Sequence, residues 1–143
     1  MHRTQSYNEL SGRYSKLPNL YYIPSTERLM SGKQSITNKQ GSENGISKED
    51  AEQIRVEMEN AVAVTRGLYD LLLERGVSRE LARLILPVNQ YSRMRASGNL
   101  RNWMAFLTLR MDPAAQWEIR QYAEAIHDEL KVKFPHTMEL FDE

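Results

Sequence analysis

The sequence predicts an α+β chain, mostly helical with a few short strands, on three observations. Apolar residues recur at steps of three and four across 54–72, 100–107 and 119–130, the spacing of buried helix faces. Cap and stop residues punctuate those stretches at Ser47, Gly76, Ser78 and Asn99. Two other segments, 17–24 and 91–97, show the proline boundaries or loose alternation of extended chain.

The opening run, His2-Arg3-Thr4-Gln5-Ser6-Tyr7-Asn8-Glu9-Leu10-Ser11-Gly12-Arg13-Tyr14, has no apolar period. Its density of arginines, hydroxyls and amides suits either a flexible basic tail, the commoner case on composition, or the wall of a site for a polar anion. Leu17 to Pro24 reads as a short extended segment bounded by prolines. Residues 25–46 are rich in Ser, Gly, Lys, Gln and Asn and are expected to form a long exposed loop.

Ser47, with Asp50 three residues on, predicts the start of a long helix. Ile54, Met58, Ala61, Thr65, Leu68 and Leu72 form its apolar stripe, and Gly76 supplies a left-handed stop. Ser78 is expected to cap a short second helix that Pro87 ends after Leu86, completing a helical hairpin over 47–86. A strand or extended arm over 91–97 follows, then a third helix from Asn99 to Arg110 lined by Leu100, Met104 and Leu107. Asp112-Pro113 has the pattern of a cap with proline at the first helical position. The fourth helix would run to about Lys131 and bury Ile119, Tyr122, Ala123, Ile126 and Leu130. Pro135 is expected to end it, leaving 132–143 as a tail that docks or frays.

Composition removes several chemistries. There is no cysteine, hence no disulfide, thiolate nucleophile or cysteine-held metal. His2, His127 and His136 have no metal-ligand spacing, so no metal site is expected. Basic and acidic side chains number 19 each, which argues against nucleic acid as the partner. With no apolar run of spanning length and no signal-peptide pattern, a soluble cytoplasmic protein with no membrane partner is the expectation.

The opening run resembles the signature of flavin-dependent thymidylate synthases, the ThyX family, written R-H-R-x-x-S-x-N-E-x-S-x-R-Y. His2, Arg3, Ser6, Asn8, Glu9, Ser11, Arg13 and Tyr14 match in register, and Met1 stands where the family has arginine. Asn38 to Ser42 is similar to a short family motif. Leu81-Ala82-Arg83-Leu84-Ile85-Leu86-Pro87 resembles the family's A-R-x-x-L-P element. Asn99 to Arg110 resembles N-x-R-x-x-x-(H/N)-F-L-x-L-R, followed by the matching Ala115 to Arg120; Ala105 departs from it, replacing the usual histidine or asparagine. Nearly the whole chain is covered. It reads as one incomplete ThyX-like domain over 1–143, the mostly helical portion of that fold without its N-terminal sheet strands.

The resemblance implies an FAD-dependent methyltransferase that makes dTMP from dUMP, with methylenetetrahydrofolate and NADPH as co-substrates. The family's sites are assembled from several subunits, so a homotetramer is implied. Glu9, Leu10, Ser11, Gly12, Arg13, Arg83 and Arg110 would bind dUMP, and Arg110 would also be catalytic at the uracil ring. His2, Arg3, Glu9, Asn99, Leu100 and Arg101 would contact FAD. By its residues alone, Arg83 is open to two readings: a stem that packs while its head reaches water, or a planar fork reserved for an anion or base edge. Asn99 at a helix start suits an anion such as a pyrophosphate. Arg101 and Arg110, about 180° apart on an ideal helix, cannot serve one compact ligand.

The chain is expected to be inactive alone. The alternative is a non-catalytic nucleotide- or flavin-binding piece that complements a separate N-terminal polypeptide. Trp103, Phe106 and Trp117 are expected in the core, and the acidic end, including Asp128, Glu129, Glu139, Asp142 and Glu143, on a solvated face.

Overall fold

The computed structural model describes residues 4–31, 33–34, 42–43 and 45–143. Helices dominate and strands are short, which agrees with the α+β class. Strand β1 (Ser6–Glu9) is followed by α1 (Thr26–Met30), β2 (Lys33–Gln34), β3 (Ser42–Glu43) and the long α2 (Lys48–Glu74). Then come α3 (Arg79–Ala82), a 3-10 turn (Arg83–Ile85), β4 (Met94–Ser97), α4 (Leu100–Arg110), α5 (Trp117–Lys133) and α6 (Pro135–Asp142). β1 pairs with β4, and β2 pairs antiparallel with β3 in the register Lys33 to Glu43 and Gln34 to Ser42.

The described residues fall into two compact units, 8–31, 33–34, 42–43 and 45–95 in one, 4–7 and 96–143 in the other. In the first, α2 begins as its sequence says: the Ser47 hydroxyl accepts the Asp50 N–H at 3.0 Å. It stops at Gly76, whose φ of +80° is open to glycine at no steric cost. Its buried face departs from the expected stripe. Ala51 and Tyr69 are fully buried, while Ala61 and Leu68 are exposed. Leucines occupy 68, 71, 72 and 73, so several faces satisfy the helical period there; the large Tyr69 ring, with its hydroxyl bonded to Leu17, decides between them.

Two further expectations change in this unit. Residues 25–46 are not wholly loop. Ser25 accepts the Arg28 N–H at 3.2 Å, capping α1, and α1 packs along α2. The Asn38 to Ser42 run lies outside the described residues, apart from the backbone of Ser42. Ser78 precedes α3 without a side-chain capping bond, and the second helix of the hairpin tightens to a 3-10 turn at Arg83.

The other unit packs α4, α5 and α6 around Phe106, Leu107, Ala123 and Met138. Trp103 is partly buried and meets the Phe106 ring edge-on at 5.8 Å, but Trp117 and Tyr122 are exposed. Asp112-Pro113 does not open α5. The Asp112 carboxylate accepts the Ala114 N–H at 2.7 Å and its carbonyl accepts Ala115, closing a separate turn. α5 starts after Gln116 instead. The tail docks as a helix with Pro135 at its first turn, where a missing N–H costs nothing. Asp142 is exposed, as expected of the acidic end, and it also bonds the buried His127 at 2.7 Å and Lys131 at 2.7 Å.

Candidate functional site

β1 ends at Glu9, and the chain turns immediately. The Ser11 carbonyl accepts the Tyr14 and Ser15 N–H groups at 3.1 and 3.0 Å, and its hydroxyl accepts that of Arg13 at 3.3 Å. Leu10 is tied to the arm leading into β4 by its N–H to the Arg93 carbonyl at 2.8 Å. This turn presents Glu9, Leu10, Ser11 and Gly12 to a cleft of about 400 Å³, closed on its other sides by Leu17, Arg83, Leu86, Pro87, Gln90 and Ser92. The volume suits a ligand of nucleotide size.

Gly12 sets how narrow the cleft is. A Cβ there would lie 3.3 Å from the Arg83 Cδ and 3.3 Å from a Leu17 methyl, so backbone, arginine stem and leucine meet only because position 12 has no side chain. Both readings of Arg83 therefore coexist: its stem packs on Gly12 while its head group remains exposed at the cleft. The Ser92 hydroxyl donates to the Glu9 carboxylate, fixing an acceptor opposite the guanidinium donor. Such a pairing suits a ligand with an anionic part and a hydrogen-bonding ring edge.

Arg13 does not line this cleft. It pairs with Glu80 at 3.1 Å on the surface of the same unit, with both side chains more than half exposed. Solvent-exposed pairs of this kind are worth about 0–1 kcal/mol, so an arriving anion can displace Glu80. Gln90 and Ser92 escaped the sequence reading. Their only signal is that polar residues recur within five positions after the helix-ending Pro87, at Asn89, Gln90 and Ser92.

Asn99, Leu100, Arg101 and Arg110 belong to the other unit. Asn99 caps α4, accepting the Asn102 N–H at 2.9 Å, and Arg101 is exposed in the first turn. The Asn102 amide also donates to the Thr4 carbonyl at 2.6 Å, so the start of the signature run is fastened to this helix end. The positive end of α4 beside an exposed arginine fits the pyrophosphate of a dinucleotide. Arg110 is partly buried in the last turn of α4, and Ala105 is exposed between the two ends without a hydrogen-bonding side chain. His2 and Arg3 lie outside the described residues.

Among the described residues, no three His, Asp or Glu side chains gather as a metal-binding group. No helix among them is long and apolar enough to cross a membrane.

Comparison with known proteins places the chain in a family. The family model described as thymidylate synthase complementing protein matches residues 1–136. A flavin-dependent thymidylate synthase of Thermus thermophilus is 44% identical over 142 residues, covering 99% of this chain and 50% of that protein. One from Thermotoga neapolitana is 42% identical over 140 residues, covering 98% and 58%. The chain thus spans about half the length of the curated relatives it matches. Among solved structures, the UMP/dUMP methylase PolB of Streptomyces cacaoi bound with 5-Br dUMP superposes with a TM-score of 0.82 at 34% identity, covering 99% of this chain and 62% of that one. Its complex with 5-Br UMP gives 0.86 at 35%, covering 98% and 65%. The chain belongs to the thymidylate synthase complementing protein family, that of the flavin-dependent thymidylate synthases.

Proposed function

We propose that this chain supplies the deoxyuridylate site of a flavin-dependent thymidylate synthase. The overall reaction is dUMP plus methylenetetrahydrofolate plus NADPH and a proton, giving dTMP, tetrahydrofolate and NADP+. The observation that carries this reading is the cleft in which Glu9, Leu10, Ser11 and Gly12 of the signature meet Arg83 of the A-R-x-x-L-P element, far away in sequence. Arg83 and the Ser11 hydroxyl hold the nucleotide phosphate, Glu9 accepts from its sugar or ring, and Arg13 leaves Glu80 to add a second guanidinium.

Uracil C5 is a weak nucleophile, and the chain has no thiolate with which to activate it by addition. Charge must instead be drawn onto the ring's N3–carbonyl edge. A fixed guanidinium stabilises that developing charge electrostatically, and Arg110 is the residue assigned to it, brought to the nucleotide by subunit assembly. Flavin, when bound, supplies the redox chemistry that side chains lack. His2, Arg3, Glu9, Asn99, Leu100 and Arg101 would hold FAD, with the pyrophosphate at the start of α4. Ala105 weakens that hold relative to a histidine or asparagine.

Val64, Leu68 and Leu71, exposed along one side of α2, are an apolar stripe that a subunit interface of a homotetramer would cover. We propose that the 143 residues retain nucleotide binding, and that methyl transfer needs more of the protein than they provide. The second reading is a non-catalytic nucleotide- or flavin-binding piece completed by a separate polypeptide. The test is an assay of the chain alone and within a full-length relative's framework. The complete form should be yellow and release FAD on denaturation, and Arg110→Ala should abolish dTMP formation while keeping the colour. A colourless complete protein, or full turnover by Arg110→Ala, refutes the assignment.

A further inference from the structure

One largely enclosed cation holds the segment that carries Leu17 of the cleft wall. The Arg66 side chain is 11% exposed, and its Nε donates to Asp70 at 3.0 Å, one turn along α2. One terminal nitrogen donates to the carbonyls of Leu17 at 3.1 Å and Pro18 at 3.4 Å. The guanidinium also sits 5.2 Å from the centroid of the Tyr69 ring. Lys16 bonds the other oxygen of Asp70 at 2.8 Å, and the Tyr69 hydroxyl accepts the Leu17 N–H at 3.5 Å. From the opposite side, the Gln90 amide donates to Pro18 at 2.7 Å and Leu20 at 3.0 Å.

Burying an arginine is costly unless its donors are met, and here they are met by backbone of a segment with no helix or strand of its own. That segment carries Leu17, whose methyl is one of the groups that confine Gly12 against Arg83. Lys16 first, and Arg66 after it, holds the Asp70 carboxyl below its ordinary range. None of Arg66, Asp70 or Tyr69 lines the cleft.

We propose that Arg66 is a positioning residue for the nucleotide cleft: its guanidinium fixes the Lys16–Leu20 segment, and through Leu17 the spacing between the Gly12 turn and Arg83. The inference rests on the reading of that cleft as the dUMP site. Positioning through a second layer acts on affinity out of proportion to stability, because small displacements of binding groups are expensive.

The experiment is calorimetric titration of the chain with dUMP, with melting temperature measured beside it. Arg66→Gln should weaken dUMP binding about tenfold or more, whereas Met58→Ala on the same helix, with a comparable fall in melting temperature, should leave it within about twofold. Arg66→Lys, which keeps a cation within reach of Asp70 and one carbonyl, should restore affinity to within about threefold of the unmodified chain. Equal losses in Arg66→Gln and Met58→Ala, or no rescue by lysine, overturn the proposal. If Arg66→Gln does not fold, Tyr69→Phe replaces it: removing the acceptor of the Leu17 N–H should weaken binding about threefold at an unchanged melting temperature, and unchanged binding overturns the proposal. An unmodified chain that does not bind dUMP overturns the cleft reading itself; one that binds, with variants indistinguishable from it, overturns the positioning role alone.

Discussion

At Gly12, the missing side chain lets the Arg83 stem and a Leu17 methyl approach to contacts that a Cβ would meet at 3.3 Å. A methyl group there requires a shift of only a few tenths of an ångström in two flexible side chains, but a branched side chain cannot be accommodated without moving Arg83. Gly12→Ala is therefore expected to weaken dUMP binding about two- to threefold, and Gly12→Val at least about tenfold. Titration of both variants checks the order; equal affinities would show that Arg83 is not held by this contact. The same scale explains why Arg83 was legible from sequence and Gln90 was not. An arginine within the apolar run 81–87 stands out against its neighbours, and the resemblance chose between its two readings, whereas a glutamine after a helix-ending proline looks like any loop residue until folding places it in the cleft.

Among the elements, those set by local chemistry were legible. The starts of α2 and α4 lie at Ser47 and Asn99, and the end of α2 near Gly76, because caps and a positive φ act within a few residues. Elements decided by distant partners were not. α1 stands in a Ser- and Gln-rich stretch and depends on its packing against α2. α6 is anchored by Met138 and by Asp142, whose partners His127 and Lys131 are on α5. The Asp142 carboxyl is held below its ordinary 3.8, first by the hydrogen bond from Lys131 and then by that from His127. Since its folded-state value is the lower one, the stabilisation is complete above the unfolded value and disappears as pH falls through the folded value. Protection of α6 amides, taken relative to the intrinsic exchange rate at each pH, should thus fall below about pH 4 in the unmodified chain, and in Asp142→Asn it should already be lower at neutral pH. Identical exchange in the two proteins at neutral pH would remove Asp142 from the account of α6 docking.

For the molecule as a whole, composition excluded thiolate chemistry, and two motifs distant in sequence pointed to one ligand. Folding brings the end of the first motif and the start of the second to a single cleft within one unit. Asn99, Arg101 and Arg110 belong to the other unit, and under the proposed reading subunit assembly brings Arg110 to the nucleotide. That dependence is also why periodicity could not reveal the site: the opening run has no apolar face, and its order comes from β4, Leu17 and Arg83. The most direct measurement is titration of the 143-residue chain and its Arg83→Ala variant with dUMP. Saturable binding, weakened about tenfold or more by the loss of one charge-assisted contact, is the expected result. No binding by the unmodified chain, or equal binding by Arg83→Ala, would contradict the assignment of this cleft to the nucleotide.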